Sequence, residues 1–284
     1  MDSALNNEKS RVLFISQEII PYLEQSVMGT VCRYLPQGTQ ERNKEIRTFM
    51  PKFGLINERR NQLHEVIRLS GMNLIINDID HPIIIKVASI SQVRMQIYFI
   101  DNEEYFQRKY TTKDAAGKCF SDNDERSVFF ARGVLETVKK LGWSPNLVNC
   151  HGWMSAFAPI YINKLYRDNP LFSDVKIVTT LYNDSFNTRF SETFFNKMKF
   201  DGFDAKELKA VKTPNYINIM KWAISNSDAV IIAEKDVNPK LVQHVKDLNL
   251  PYISYNRYDM DYISDISNQF FDEIIGNDNS SSNS

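Results

Sequence analysis

The residues best placed for chemistry gather in Leu147-Val148-Asn149-Cys150-His151-Gly152-Trp153. An apolar run stops at an imidazole, and apolar residues then resume at helical spacing with Phe157, Ile160, Tyr161 and Leu165. A strand that turns straight into a helix is half of a βαβ unit, and open α/β sheets bind ligands beyond the carboxyl ends of their strands. His151 therefore stands where an imidazole can exchange a hydrogen bond or a proton with a ligand. Trp153, two residues on, offers a flat ring. Both have plainer uses, as a hydrogen-bonded strand end and as a core-packing indole. Asp122 and Asn123 precede a firm helical pattern and serve either as its cap or as ligand contacts. Asp122-Asn123-Asp124 also resembles the start of a calcium loop, but Ser127 stands where such a loop needs glycine.

Totals narrow the function classes. The chain has 284 residues with 34 basic and 35 acidic side chains, a net charge of −1 that gives no footprint for nucleic acid. Its cysteines, Cys32, Cys119 and Cys150, are odd in number and widely spaced, which suits free thiols in a reducing cytoplasm. No second ligand pair follows Cys150-His151 at zinc spacing, so no metal is expected. The first ten residues lack the profile of a secretory signal, and no apolar run approaches ~20 residues, so no membrane partner is expected. After Ile15 the chain reads SQEIIPYLEQSVMGT, with one glycine, against a dinucleotide fingerprint. P-loop and G-x-S-x-G patterns are absent too. No cofactor is expected.

The elements that must position these residues follow from periodicity. Residues 11–16 read as a buried first strand, 17–30 as a loop broken by Pro21 and Gly29, and 31–43 as a helix. A second strand at 45–50 ends before Pro51. Short strands at 64–69, 72–76 and 83–88, separated by Gly71 and by Asp80-His81-Pro82, suggest an inserted antiparallel meander. Residues 93–100 return to the main sheet. Val128, Ala131, Leu135 and Val138 line a helix capped by Asp122 or Asp124 and ended by Gly142. Pro159 implies a kink or late start in the helix after His151. Strands at 175–180, 229–233 and 252–255 alternate with helices at 216–225, 237–248 and 262–275, with Asp236 capping the second of these helices. Residues 183–215 form a long aromatic excursion that reads equally as ligand groove, docking surface or core. The expected organisation is frayed residues 1–10, one Rossmann-like α/β domain over 11–275 with a mostly parallel sheet, and a disordered tail over 276–284.

An ordered set of segments resembles the N-terminal, acceptor-side domain of bacterial glycogen synthases and plant starch synthases. Residues 12–18 with Pro21 resemble that family's first strand and loop, and Leu35-Pro36 with Met50-Pro51-Lys52-Phe53-Gly54 its first helix and second strand. Further on, Tyr98-Phe99-Ile100-Asp101-Asn102 with Tyr105-Phe106 and Arg108, then Asp122-Asn123 with Arg126 and Phe129-Phe130, follow in family order. Trp143-Ser144-Pro145-Asn146 leads to His151-x-Trp153 and Pro159. Asn218, Lys221 and Ser227-Asp228-Ala229-Val230 complete the set, which runs from about Arg11 to about Val237.

The resemblance implies one half of a GT-B glycosyltransferase that moves glucose, with retention, from ADP-glucose to an α-1,4-glucan. It implies no cofactor, makes His151 the contact to the transferred sugar, and makes Trp153, Asp122, Asn123, Tyr182, Asn183, Glu24 and Gln25 substrate contacts. The family's second domain, with most donor contacts, is expected to be missing after Ser284 and supplied by a separate chain. Family motifs depart here. The K-T-G-G-L loop falls on Glu24-Gln25-Ser26-Val27-Met28, where Glu24 reverses a charge; at ~5 Å and an effective dielectric of ~20 the repulsion of a phosphate is about 3 kcal/mol. H-D-W becomes His151-Gly152-Trp153, and T-I-H-N becomes Thr180-Leu181-Tyr182-Asn183. These losses keep open a second reading, a non-catalytic module binding glucan or protein.

Overall fold

The computed structural model describes residues 9–276. Its strands are β1 (Arg11–Ser16), β2 (Glu45–Pro51), β3 (His64–Glu65), β4 (Met72–Ile76), β5 (Ile79–Ile90), β6 (Met95–Asp101), β7 (Leu147–His151), β8 (Lys176–Leu181), β9 (Ala229–Ile232) and β10 (Tyr252–Ser254). The helices are α1 (Val27–Glu41), α2 (Glu103–Phe106), α3 (Asn123–Leu141), α4 (Phe157–Tyr161), α5 (Phe194–Phe200), α6 (Ala205–Leu208), α7 (Tyr216–Ser225), α8 (Pro239–Asp247) and α9 (Met260–Gly276). Among the described residues no helix is long and apolar enough to cross a membrane.

A ten-stranded sheet runs in the order β10-β9-β8-β7-β1-β2-β6-β5-β3, with β4 added against β5. From β10 to β6 all neighbours are parallel. The buried sequences Val12-Leu13-Phe14-Ile15 and Leu147-Val148 show why: a parallel strand covered on both faces needs apolar residues at successive positions. Strand order reverses at β1, which has β2 on one side and β7 on the other, so the switch point lies between Ser16 and His151, paired in register. One face is layered by α1 and α9, packed so closely that a Cβ on Gly38 would sit 2.4 Å from the Ser264 hydroxyl. On the other face α3 packs against β6, with Gly133 against Ile100.

Several expectations shift. Helix α1 begins at Val27 rather than at residue 31, because the Ser26 hydroxyl accepts from the Gly29 N–H at 2.8 Å and so makes Gly29 part of the first turn. Strand 64–69 shrinks to β3. The break expected at Asp80-His81-Pro82 lies inside β5; the hairpin turns at Asn77 and Asp78, both left-handed, with φ of 51° and 64°. Pro82 is tolerated because pairing of β5 with β6 starts only at Ile84. The inserted meander is otherwise present as expected: β4, β5 and β6 pair antiparallel in succession, and β5 joins it to the main sheet. Helix α8 is capped by Asn238, not Asp236. Helix α4 starts late, at Phe157, and a π turn follows it. Apart from residues 9–10 and Gly276, the terminal segments expected to be disordered lie outside the described residues.

Candidate functional site

The loops at the carboxyl ends of the strands form two neighbourhoods. The first surrounds His151. Its imidazole is fully buried, with Nδ1 2.9 Å from the Tyr182 hydroxyl and Nε2 without a partner. Phe14 packs near its ring. Burial holds its pKa down at about 3, so the ring is neutral at pH 7. The switch-point crevice is closed over it. Gln17 donates its backbone N–H to the His151 carbonyl at 3.1 Å and accepts the Met154 N–H on its side-chain oxygen at 3.0 Å. Gly152 has φ +81°, and a Cβ there would meet Met28 Sδ at 2.8 Å and Gln17 Cβ at 2.9 Å. The first turn of α1 thus rests on a position that has no room for a side chain, which accounts for glycine where the resembling family has aspartate.

Trp153 is buried too, its ring 4.8 Å from Phe186 and 6.2 Å from Phe190. These phenylalanines continue through Phe194 and Phe203 into packing on Phe157, Tyr161 and Trp222. Apart from exposed Phe200 and partly buried Phe195, the aromatic side chains of this excursion are core. Asn183, just past β8, is exposed, and its N–H reaches Glu234 at 3.3 Å. Sequence reading missed Asp184. Its carboxylate accepts the Trp153 N–H at 2.8 Å and the Tyr216 hydroxyl at 2.8 Å, tying together the ends of β7 and β8 and the start of α7. Burial raises its pKa to about 6, partly offset by those two hydrogen bonds. A carboxylate held above the usual range beside a candidate motif was detectable only in three dimensions, because its partners lie 31 and 32 positions away.

The second neighbourhood is open. A groove of about 920 Å³ separates the loop after β1 from residues 110–117. Glu24 and Gln25 stand exposed on one wall, with Glu18, Tyr22 and Ser26; Tyr110 and Asp114 stand on the other. The second wall explains Asp122 and Asn123. Asp122 precedes α3 but its side chain does not cap the helix; it pairs with Arg108 Nη1 at 2.7 Å instead. Asn123 is buried, donating to the Thr112 carbonyl at 2.8 Å and accepting from Arg126 at 2.7 Å. Arg126 is itself buried among Phe53, Phe106 and Phe120, and burial lowers its pKa to about 10. At Gly54 the chain crosses so closely that a Cβ would lie 2.3 Å from the Arg108 carbonyl. Asp122 and Asn123 thus brace the far wall of the groove, and neither joins His151.

The switch-point architecture, with loops from β1, β6, β7 and β8 gathered at the carboxyl ends of the strands, is that of a Rossmann-like domain. The catalytic domain of starch synthase IV from Arabidopsis thaliana, solved bound to ADP and acarbose, superposes with a TM-score of 0.71 at 18% identity, over 87% of this chain and 51% of that one. A family model described as the starch synthase catalytic domain matches residues 11–246, and the chain belongs to that family. Glycogen synthase from Chlorobium limicola is 37% identical over 174 residues, 61% of this chain and 36% of that protein. The enzyme from Chlorobaculum tepidum is 31% identical over 222 residues, 78% of this chain and 45% of that protein. The chain thus spans between about a third and a half of the length of these relatives.

Proposed function

We propose that this chain supplies the acceptor side of a glycogen/starch-synthase-type glucosyl transfer, from ADP-glucose to the end of an α-1,4-glucan, in the cytoplasm. The observation that carries this reading is the open groove braced by Asp122, Asn123 and Arg126. Tyr110 offers a ring face for a sugar, and Glu18, Gln25 and Asp114 offer hydrogen-bonding groups for its hydroxyls. The groove suits a neutral glucan better than a diphosphate. Helix N-termini attract phosphate, but here the Glu18 carboxylate already accepts from the α1 cap, Ser26, at 2.7 Å, and Glu24 adds a second negative charge. Most of the donor's charge is then met outside this groove, by a donor-binding domain that faces it. For His151 to touch the transferred sugar, the first turn of α1 has to lift from Gly152.

The burial of His151 favours a second reading, a module that binds glucan or a protein without catalysis. One experiment separates them: ADP release is measured with ADP-glucose and glycogen in the presence of a separately expressed donor-binding domain of a related glycogen synthase, alongside retention of the protein on immobilised glycogen. Release that is lost in His151→Ala supports transfer. Retention without release supports the module, and neither release nor retention removes both.

A further inference from the structure

The opposite end of the sheet holds a polar hollow of about 340 Å³, at the starts of β2 and β6. Its floor is a row across three adjacent strands. Ser89 on β5 faces Gln96 on β6 in register, and Arg47 precedes Thr48 on β2 just as Gln96 precedes its partner Ile97. Residues abreast in a sheet point to one face, so the three side chains stand together. Arg94 rises beside them from a left-handed turn, φ 51°, and Gln40 at the end of α1 closes the rim.

The two guanidiniums are under-compensated. Arg47 lies over the Trp143 ring, donates Nη1 to the Ile46 carbonyl at 2.9 Å and pairs through Nη2 with Glu45 at 3.1 Å, while its buried Nε has no partner. Glu45 also accepts from Arg11 at 3.2 Å and from the Trp143 indole N–H at 2.8 Å. Arg94 is exposed and makes no side-chain hydrogen bond or ion pair among the described residues. A second hollow of about 430 Å³, sharing Gln40, Ile46 and Arg47, adds Lys9 together with Glu45 and Lys44, the last paired with Asp272 at 3.0 Å. In a chain of net charge −1 this concentration of positive charge in a concavity is local.

We propose that this hollow binds the phosphate monoester of a small polyol, such as a sugar phosphate. Arg94 presents a planar fork that matches phosphate oxygens and Arg47 adds its charge beside it, while Gln40, Gln96 and Ser89 supply the amides and hydroxyl that read sugar hydroxyls. The volume lies at the low end of the ~300–1,000 Å³ typical of small-molecule sites. The site is at the far end of the strands from His151, so it is independent of the transfer reading and its ligand is not a substrate.

Calorimetric titration of the full chain tests this with glucose 1-phosphate, inorganic phosphate and glucose. The expected order is ester tighter than phosphate, with no heat from glucose. Arg94→Asn keeps a residue that tolerates the left-handed turn; it should weaken the ester at least about tenfold while leaving the ligand-free melting temperature unchanged. Arg47→Lys, which keeps charge but loses the fork, should give a smaller loss. Absence of binding by both phosphate compounds, equal binding of glucose, or unaltered ester affinity in Arg94→Asn overturns the proposal.

Discussion

His151 and Glu24 share one edge of the sheet, yet one is sealed and the other stands in water. The sealed neighbourhood holds His151 and Trp153, the residues whose sequence pattern resembles the family's. The open one carries the most altered, Glu24 and Gln25. Retention of a side chain therefore does not establish access to it. Access is set by what packs next to it, here Met28 and Gln17 closing on a glycine. Where the loop after β1 is polar and only half-buried, the same backbone leaves a groove.

The largest expected break in this contrast comes from acid. His151 has its pKa lowered from 6.5 to about 3 by burial, so the folded state binds fewer protons than the unfolded chain below pH 6.5. Its contribution is complete above about pH 6.5 and is lost as pH falls towards 3, a loss approaching ~4–5 kcal/mol. Urea denaturation at pH 7, 5.5 and 4.5 should show a steeper decline for the natural chain than for His151→Gln. Parallel profiles would mean that water reaches the imidazole. Trp153→Ala should follow at about 3–5 kcal/mol, since it empties an aromatic cluster rather than a cleft. A loss below ~1 kcal/mol would place Trp153 at an open surface instead.

Restoring the family's aspartate tests the closure directly. Gly152→Asp should destabilise by about 3 kcal/mol, because it forces a β-carbon into left-handed backbone against Met28 and Gln17 and buries a carboxylate. Adding Met28→Ala should recover part of that loss in the same denaturation assay. Full stability of the single variant would show that α1 yields easily and that the crevice opens at little cost.

Much of this was legible beforehand, for identifiable reasons. The parallel strands announce themselves as continuous apolar runs, and α7 has the bounds its periodicity implies. Helix α1 was misplaced because Gly29 reads as a breaker until Ser26 is known to cap it. The hairpin at Asn77-Asp78 is hidden by Pro82, whose usual meaning fails where β5 pairs with β4 on one side and has no β6 neighbour on the other. At the site, residue types indicated the strand end but not the seal, because closure depends on Met28, more than 120 positions from Gly152 in sequence. Asp122 looked like a cap, and its real partner, Arg108, precedes it by 14 positions in an irregular loop where no periodicity helps.

Asp184 offers a smaller test with the opposite sign. Burial raises its pKa from 3.8 to about 6, so its contribution is complete below about pH 3.8 and is lost as pH rises through 6. The effect should be about 1–2 kcal/mol, allowing for the part of the residue that meets water. Asp184→Asn should remove this slope and leave the steeper acid loss due to His151 more visible between pH 4 and 6. If that variant and the natural chain decline alike, the carboxylate titrates as an ordinary surface group.

The smallest expected effect on stability belongs to the open wall. Glu24 is exposed and makes no side-chain hydrogen bond or ion pair among the described residues, so Glu24→Lys should change the unfolding free energy by less than ~0.5 kcal/mol. Its effect on ligands should be much larger than its effect on folding. Reversing one charge near a diphosphate removes a repulsion and adds an attraction; because Glu24 is exposed, water screens each far below the ~3 kcal/mol of close contact, leaving roughly tenfold in ADP-glucose affinity at low salt and less as salt is raised. Retention on immobilised glycogen should be unchanged, because a neutral glucan does not feel the sign of that charge. Equal ADP-glucose binding by both proteins at low salt would separate this groove from the donor, leaving it to the glucan alone.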